Sequence, residues 1–141
     1  MALEMREREW VSQFAACLSG VLSIQGSEEA ERFSALSFET APAENITAQA
    51  LWRSAKARAL VNHEEAERLA REAIQLVPPE MLNLGADLRV DLAEILLAAG
   101  RRESALLVIS EAIDLYMRKG NLVSAARARA LGQSVAPVAG R

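Results

Sequence analysis

The fold of this chain can be predicted from residues 64–69, EEAERL, because similar segments occur at two other places. Residues 28–33 are EEAERF, and residues 102–107 are RESALL. Aligning Ala30, Ala66 and Ala105 gives spacings of 36 and 39 residues. Apolar residues recur after three and four positions around each segment, as they do on one face of a helix. A repeat of 36 to 39 residues in segments with helical periodicity indicates stacked helical hairpins.

The composition fits a core made of helices. The chain has 141 residues, which is enough for a sizeable core. Apolar residues make up 51% of it, but aromatic residues make up only 4%. Many of the apolar residues are alanine, which favours helices that approach one another closely. No useful stretch alternates with a period of two, so we predict an all-α fold without strands.

The apolar periodicity and the turn residues predict seven helices. Asn62 and Asn121 are predicted N-caps, and Gly100 and Gly120 are predicted stops. The helices are expected at 5–24, 28–40, from Asn45 or Thr47 to about 60, 63–77, 80–99, 102–119 and 122–133.

Apolar stripes on these helices predict the core. On the fifth helix we expect Leu92 and Leu96 to lie between neighbouring hairpins. We interpret Trp10 and Trp52 as packing anchors rather than as clamps for a peptide. The predicted stripe of the first helix consists of Trp10, Phe14, Cys17, Leu18, Val21 and Leu22.

The hairpin pattern resembles tetratricopeptide repeats. In that family small residues lie where helices cross, and a proline follows the second helix of each repeat. Ala30, Ala66 and Ala105 match the small position, and Pro42 and Pro78 match the proline. The resemblance implies a right-handed superhelix of three hairpins and a C-terminal capping helix. We expect one domain at 1–133, with repeats at 5–42, 46–79 and 80–119, a capping helix at 121–133 and a flexible tail at 134–141.

A narrower resemblance is to one bacterial group. That group is the C-terminal repeat region of actinobacterial-type adenylate/guanylate cyclase-related proteins and of large multidomain transcriptional regulators. The resemblance implies a regulatory, protein-binding segment and carries over no catalytic residue. The segments that carry it are 49–54 (QALWRS), 64–73 (EEAERLAREA), 82–84 (LNL) with Asp87, 91–94 (DLAE) and 116–121 (YMRKGN).

Charge and cysteine content narrow the partners and the compartment. The net charge of −3 argues against direct binding of nucleic acid. Residues 101–141 nevertheless hold 7 basic against 3 acidic side chains. Cys17 is the only cysteine, so no intrachain disulfide can form and a cytoplasmic location is expected. No apolar run has the length of a membrane span, and we expect no membrane partner.

The sequence offers no arrangement of residues for catalysis. His63 is the only histidine, which excludes a histidine dyad or a metal cluster built from histidines. Cys17 lies on the predicted apolar stripe and is interpreted as an inert buried thiol. No phosphate loop, dinucleotide fingerprint or nucleophile elbow occurs. We therefore predict a protein that is not an enzyme and that uses neither metal nor cofactor.

The predicted site is a concave groove lined by the first, third and fifth helices, as in other helical-hairpin arrays. Its mixture of small, apolar and acidic groups suits a peptide or a partner domain. Arg53 is expected to pair with Asp91 or Asp87, with ligand contact as the alternative role for these charges. The groove positions are Ser12, Ser19, Leu22, Asp87, Val90, Glu94 and Leu97.

Three alternatives stay open at this point. The chain could be the repeat segment of a transcriptional regulator that acts on DNA only through its parent protein. It could be a small helical enzyme, against which the missing His/Cys/Asp constellation argues. A homodimer could form through an end of the repeat array, because such ends expose apolar faces unless they are capped.

Overall fold

The computed structural model describes residues 2–24, 29–40 and 45–135, with side chains except at 2, 3, 5, 17–24, 30, 31, 34 and 37. Within these residues it contains seven helices and no strand, so the all-α prediction is confirmed. The helices are α1 (Ala2–Ile24), α2 (Glu29–Thr40), α3 (Ile46–Ala59), α4 (His63–Leu76), α5 (Leu82–Ala98), α6 (Arg102–Lys119) and α7 (Leu122–Val135).

Asparagine caps begin three of the helices. The side-chain carbonyls of Asn45, Asn62 and Asn121 each accept a hydrogen bond from the backbone amide three residues later, at 2.8 to 3.2 Å. Such a bond satisfies one of the amides that the first turn of a helix leaves without an intrahelical partner. The predicted caps of α4 and α7 are therefore confirmed, and Asn45 rather than Thr47 caps α3.

Glycines end α5 and α6. Gly100 and Gly120 have φ of +77° and +81°, in the left-handed region where a side chain would be strained. The next amide folds back onto the helix at both places, from Arg101 to the Leu96 carbonyl and from Asn121 to the Tyr116 carbonyl, each at 2.9 Å. This is the Schellman arrangement, and it confirms both predicted stops.

The chain divides into two compact units, Met1–Val77 and Pro78–Arg141. The first contains α1 to α4, and the second contains α5 to α7. The division falls before Pro78, the residue predicted to close the second hairpin. Pro42 and the tail beyond Val135 lie outside the described residues. Because α7 reaches Val135, it extends two residues past its predicted end.

In the first unit, α3 packs against α1, α2 and α4, and α1 also packs against α2. Because α3 has three neighbours, it is buried on several sides rather than along one stripe. Trp52 is buried as predicted, and its ring makes a T-shaped contact with the Phe38 ring at 4.7 Å between centroids. The buried residues of α3 are Ala48, Ala50, Trp52, Ser54, Ala55 and Ala57.

The predicted inner stripe of α1 is wrong at its described residues. Trp10 and Phe14 are 57% and 62% exposed, and their rings stack on each other at 5.9 Å. The opposite side of α1 is buried instead, through Ser12, Ala15 and Ala16. Small side chains let α1 approach its neighbours closely, whereas two large rings would hold the helices apart. The predicted stripe residues whose side chains lie outside the description are Cys17, Leu18, Val21 and Leu22.

In the second unit, α6 packs between α5 and α7. Leu88, Leu92 and Leu96 of α5 are each at most 1% exposed, which confirms the predicted inner face of that helix. The facing residues of α6 and α7 are mostly small. They are Ala105, Val108, Ile109, Ala112, Tyr116, Ala125 and Ala128.

The repeated small positions are buried wherever the structure describes them. Ala66 of α4 and Ala105 of α6 are 2% and 0% exposed. Ala73 and Ala112, seven residues later in each case, are also fully buried. Close helix crossings require small, buried residues at such positions, and these four fit that requirement. The side chain of Ala30 is not among those that the structure describes.

Truncating Leu92 to alanine is expected to lower the free energy of unfolding by ~2–5 kcal/mol, because it opens a cavity in the core of the second unit. Leu107, on the exposed face of α6, gives the matched Leu→Ala control. Urea denaturation measures both variants. Equal midpoints for the two would show that the inner face of α5 is not a core.

Enlarging Ala105 to leucine is expected to destabilise the chain by ~1–3 kcal/mol, because there is no room for the side chain between packed helices. The same change at Ala98, an exposed position on α5, should be nearly neutral. Thermal unfolding followed by circular dichroism compares the two. A stabilised Ala105→Leu variant would contradict the close crossing.

Candidate functional site

The second unit carries one row of predicted groove positions, which we call the α5 row: Asp87, Val90, Glu94 and Leu97. Spacings of three and four residues place these four on one side of α5. Asp87 is exposed and the other three are half-buried. The fully buried leucines of α5 lie on the opposite side. The α5 row is therefore a surface strip of alternating acidic and apolar groups on a helix whose other side is held in a core.

A hydrogen bond from α6 holds the first residue of the row. The hydroxyl of Tyr116, which is buried, donates to Asp87 Oδ1. Asp87 is exposed as a residue, but its carboxyl lies against Tyr116 and is partly desolvated. This desolvation by partial burial raises the pKa of the carboxyl, and the Tyr116 hydrogen bond offsets part of the effect. Burial also raises the pKa of Tyr116, as do the hydrogen bond to Asp87 and the nearby carboxylates of Asp87 and Asp91. Tyr116 consequently stays protonated at neutral pH and remains a donor.

A second polar contact ties α5 to the start of α7. The side-chain amide of Asn121 donates to Asn83 Oδ1 at 3.3 Å. Asn121 is also the N-cap of α7, so one side chain begins that helix and contacts α5. Asn83 lies one turn before Asp87 on the same side of α5. The two contacts join α5 to α6 and to the N-cap of α7, close to the α5 row.

In the first unit, Gln49 of α3 accepts hydrogen bonds from Trp52 and Arg53 on the same helix. The guanidinium of Arg53 lies over the Trp52 ring, 4.4 Å from its centroid. Arg53 Nη1 donates to the backbone carbonyl and to Oε1 of Gln49, each at 2.9 Å, and Trp52 Nε1 donates to the same Oε1 at 2.9 Å. Glu72 of α4 approaches Arg53 to 3.9 Å. The pair predicted between Arg53 and Asp91 or Asp87 would join the two units, and it stays a prediction.

The other three predicted groove positions, all on α1, contribute no side chain to the surface that the structure describes. Ser12 is completely buried in α1, so its side chain has no surface to offer a ligand and the prediction for it is wrong. The side chains of Ser19 and Leu22 lie outside the description. Of the seven predicted groove residues, the structure brings together the four on α5.

The part of the chain that the structure describes contains no group of three His, Cys, Asp or Glu side chains placed as metal ligands would be. His63 is exposed at the first turn of α4. None of the described helices combines the length and the apolar character needed to cross a membrane. What the α5 row can provide is contact, through two carboxylates and two apolar side chains.

Sequence reasoning missed the contact between Tyr116 and Asp87. The signal was present, because Tyr116 is the only tyrosine and lies on the apolar stripe of α6. A tyrosine that is buried needs a partner for its hydroxyl. Asp87 is separated from it by 29 residues, and only the packing of α5 on α6 selects it over other polar groups.

Neither a protein-family model, nor a curated protein, nor a solved structure matches this chain. The resemblance to tetratricopeptide repeats and to the cyclase-related group therefore rests on the residues quoted above.

Replacing Asp87 with asparagine is expected to change the pH dependence of stability. The folded state raises the pKa of Asp87, so the wild type loses stability as pH rises through that pKa. The asparagine side chain cannot ionise, and its carbonyl can still accept from Tyr116. Relative to wild type, Asp87→Asn should therefore gain stability between pH 3 and pH 7.

Urea denaturation of both proteins at the two pH values measures this difference. Asp114→Asn removes the same charge from the exposed side of α6 and controls for net charge. The idea of a desolvated Asp87 carboxyl would be contradicted if the difference in unfolding free energy between Asp87→Asn and wild type were the same at both pH values. It would also be contradicted if wild type gained stability relative to the variant at pH 7.

Proposed function

We propose that this chain is a non-catalytic protein-binding module that holds a peptide or a partner segment along the α5 row. The observation that carries the proposal is the row itself. Asp87, Val90, Glu94 and Leu97 share one side of a helix whose opposite side is fully buried. Side chains at three- and four-residue spacing on one side of a helix are the kind of anchors by which helical segments and their partners recognise each other.

The chemistry of the row selects the kind of ligand. From Asp87 to Leu97 it extends for about 15 Å, at 1.5 Å per residue. Along this length a carboxylate precedes an apolar side chain twice. A complementary peptide would offer an apolar anchor to each of Val90 and Leu97 and a basic group to each carboxylate. This pattern suits an extended or helical segment with leucine-like and lysine-like or arginine-like residues.

The polar contacts at the N-terminal end of the row favour binding. Tyr116 holds Asp87, and the Asn83–Asn121 contact holds the neighbouring turn against α7. Side chains that are already ordered lose less conformational entropy when a ligand binds.

The architecture that we propose around this row is a tetratricopeptide-like, right-handed superhelix of three hairpins and a capping helix. It is supported by the repeat period, by the buried alanines at the repeated positions and by the polar caps between helices. Within such an array the first, third and fifth helices line the concave side. We further propose a cytoplasmic, bacterial regulatory segment, on the resemblance to cyclase-related proteins and transcriptional regulators.

Substitutions that reverse a charge and remove an apolar side chain in the α5 row should abolish peptide binding without unfolding the chain. We expect the Val90→Asp, Glu94→Lys double variant to lose peptides that combine leucine with lysine or arginine, because one apolar contact and one ion pair disappear. An array of short peptides with varied leucine and basic content, probed with each protein, measures this loss.

The matched control is Val61→Asp, Glu103→Lys, which makes the same two changes at exposed positions outside the row. Circular dichroism confirms that both variants are helical. Equal retention of peptides by wild type and by the row variant would refute the proposal. Binding of nucleic acid alone, through the basic residues after position 100, would refute it as well.

A further inference from the structure

The outward side of α1 is apolar and uncovered in the first unit. Trp10 and Phe14 are more than half exposed, and Val11 between them is also exposed. At 100° per residue, Glu4 and Glu7 fall on the same side of the helix, one and two turns before these residues. We call these five residues the α1 face. These five residues are acidic toward the N-terminal end and aromatic toward the C-terminal end of the helix. Arg6 and Arg8, also exposed, lie about 100° to either side of the face, and Arg8 donates to the Glu39 carbonyl.

A second uncovered side occurs on α7, in the other unit. This helix packs on α6 through Ala125 and Ala128, and its opposite side presents Leu122 and Val123, both more than half exposed. Ala126 and Ala130 continue that side, and Arg127 and Arg129 flank it, all of them exposed. We call this the α7 face. It is apolar toward its N-terminal end and basic toward its C-terminal end, and α7 contains no acidic residue.

The two faces are complementary when the helices run antiparallel. The aromatic end of the α1 face then meets Leu122 and Val123, and Glu4 and Glu7 come opposite Arg127 and Arg129. A parallel arrangement would set the carboxylates against the two apolar side chains. The small residue Ala126, one turn after Leu122, leaves room for the ring of Trp10. Apolar contact supplies the attraction, and the charges select the direction.

We propose that the α1 face of one copy of this chain binds the α7 face of a second copy, head to tail. The contact is heterologous, because each copy uses two different surfaces. Such a contact leaves one free face at each end of a dimer, so it continues into chains of copies or closes into a ring. The surface is separate from the α5 row, and the proposal does not depend on the peptide-binding function.

Sedimentation equilibrium of the wild type measures the association. A single helix pair is a small interface, so the average mass should rise above the 15.3 kDa of one chain only over a series from about 10 µM to about 1 mM. High salt should weaken the association, because it screens the exposed charges. A wild type that stays at the mass of one chain throughout the series would overturn the proposal.

Two single variants test the head-to-tail geometry. Phe14→Glu disables the α1 face, and Val123→Glu disables the α7 face, so each protein alone should stay at the mass of one chain. An equimolar mixture retains one intact face of each kind and should form a dimer that does not grow further. Val61→Glu, at a 90% exposed position in the α3–α4 turn, should associate as the wild type does.

Other results would contradict the geometry. Self-association of either single variant at the wild-type level would show that like faces pair. Absence of association in the mixture, with both proteins helical by circular dichroism, would show that the two faces do not bind each other.

A charge exchange tests the same contact without touching an apolar residue. Glu7→Lys and Arg127→Glu should each weaken association at low salt, because each places like charges opposite one another. The chain that carries both changes should associate more strongly than either single variant. If the double variant is the weakest of the three, the antiparallel pairing is wrong.

Discussion

Close approach of helices through alanine is the constraint on which both units depend. In the first unit α3 is surrounded by three helices, and most of its buried residues are alanine. In the second unit alanines of α6 and α7 occupy the same kind of position. A methyl group fills little space, so helix backbones lie near one another and the packing energy is spread over many small contacts. Larger buried side chains, such as three leucines of α5 and Trp52 of α3, fill the volume that remains.

This constraint explains why the aromatic side of α1 faces outward. Two sides of α1 are apolar, one small and one aromatic, and the small side allows the closer contact with α2 and α3. Trp10 and Phe14 then remain on the surface, where they stack on each other. Tryptophan is one of the residues that most often anchor protein interfaces. Packing inside the unit thereby produces a surface that a partner can cover.

Polar contacts supply the specificity that alanine packing lacks. Alanine faces are similar to one another, so a helix could slide along its neighbour by a turn at modest cost. The hydrogen bond from Tyr116 to Asp87 and the contact between Asn83 and Asn121 favour one register of α5 against α6 and α7. Desolvation of the Asp87 carboxyl opposes folding, and the donor on Tyr116 compensates for part of that cost. The α5 row owes its order to this arrangement.

The sequence by itself determined the seven helices, the asparagine caps and glycine stops that bound several of them, and the inner face of α5. Asparagine caps, left-handed glycines and three-to-four spacing act over a few residues, so they can be recognised without knowledge of the fold. It also placed the four residues of the α5 row on one side of a helix. Only the tertiary structure decided which of the two apolar sides of α1 is buried, that Ser12 is inside and that Tyr116 binds Asp87. Each of these outcomes depends on which helices lie side by side, and local periodicity carries no information about that choice.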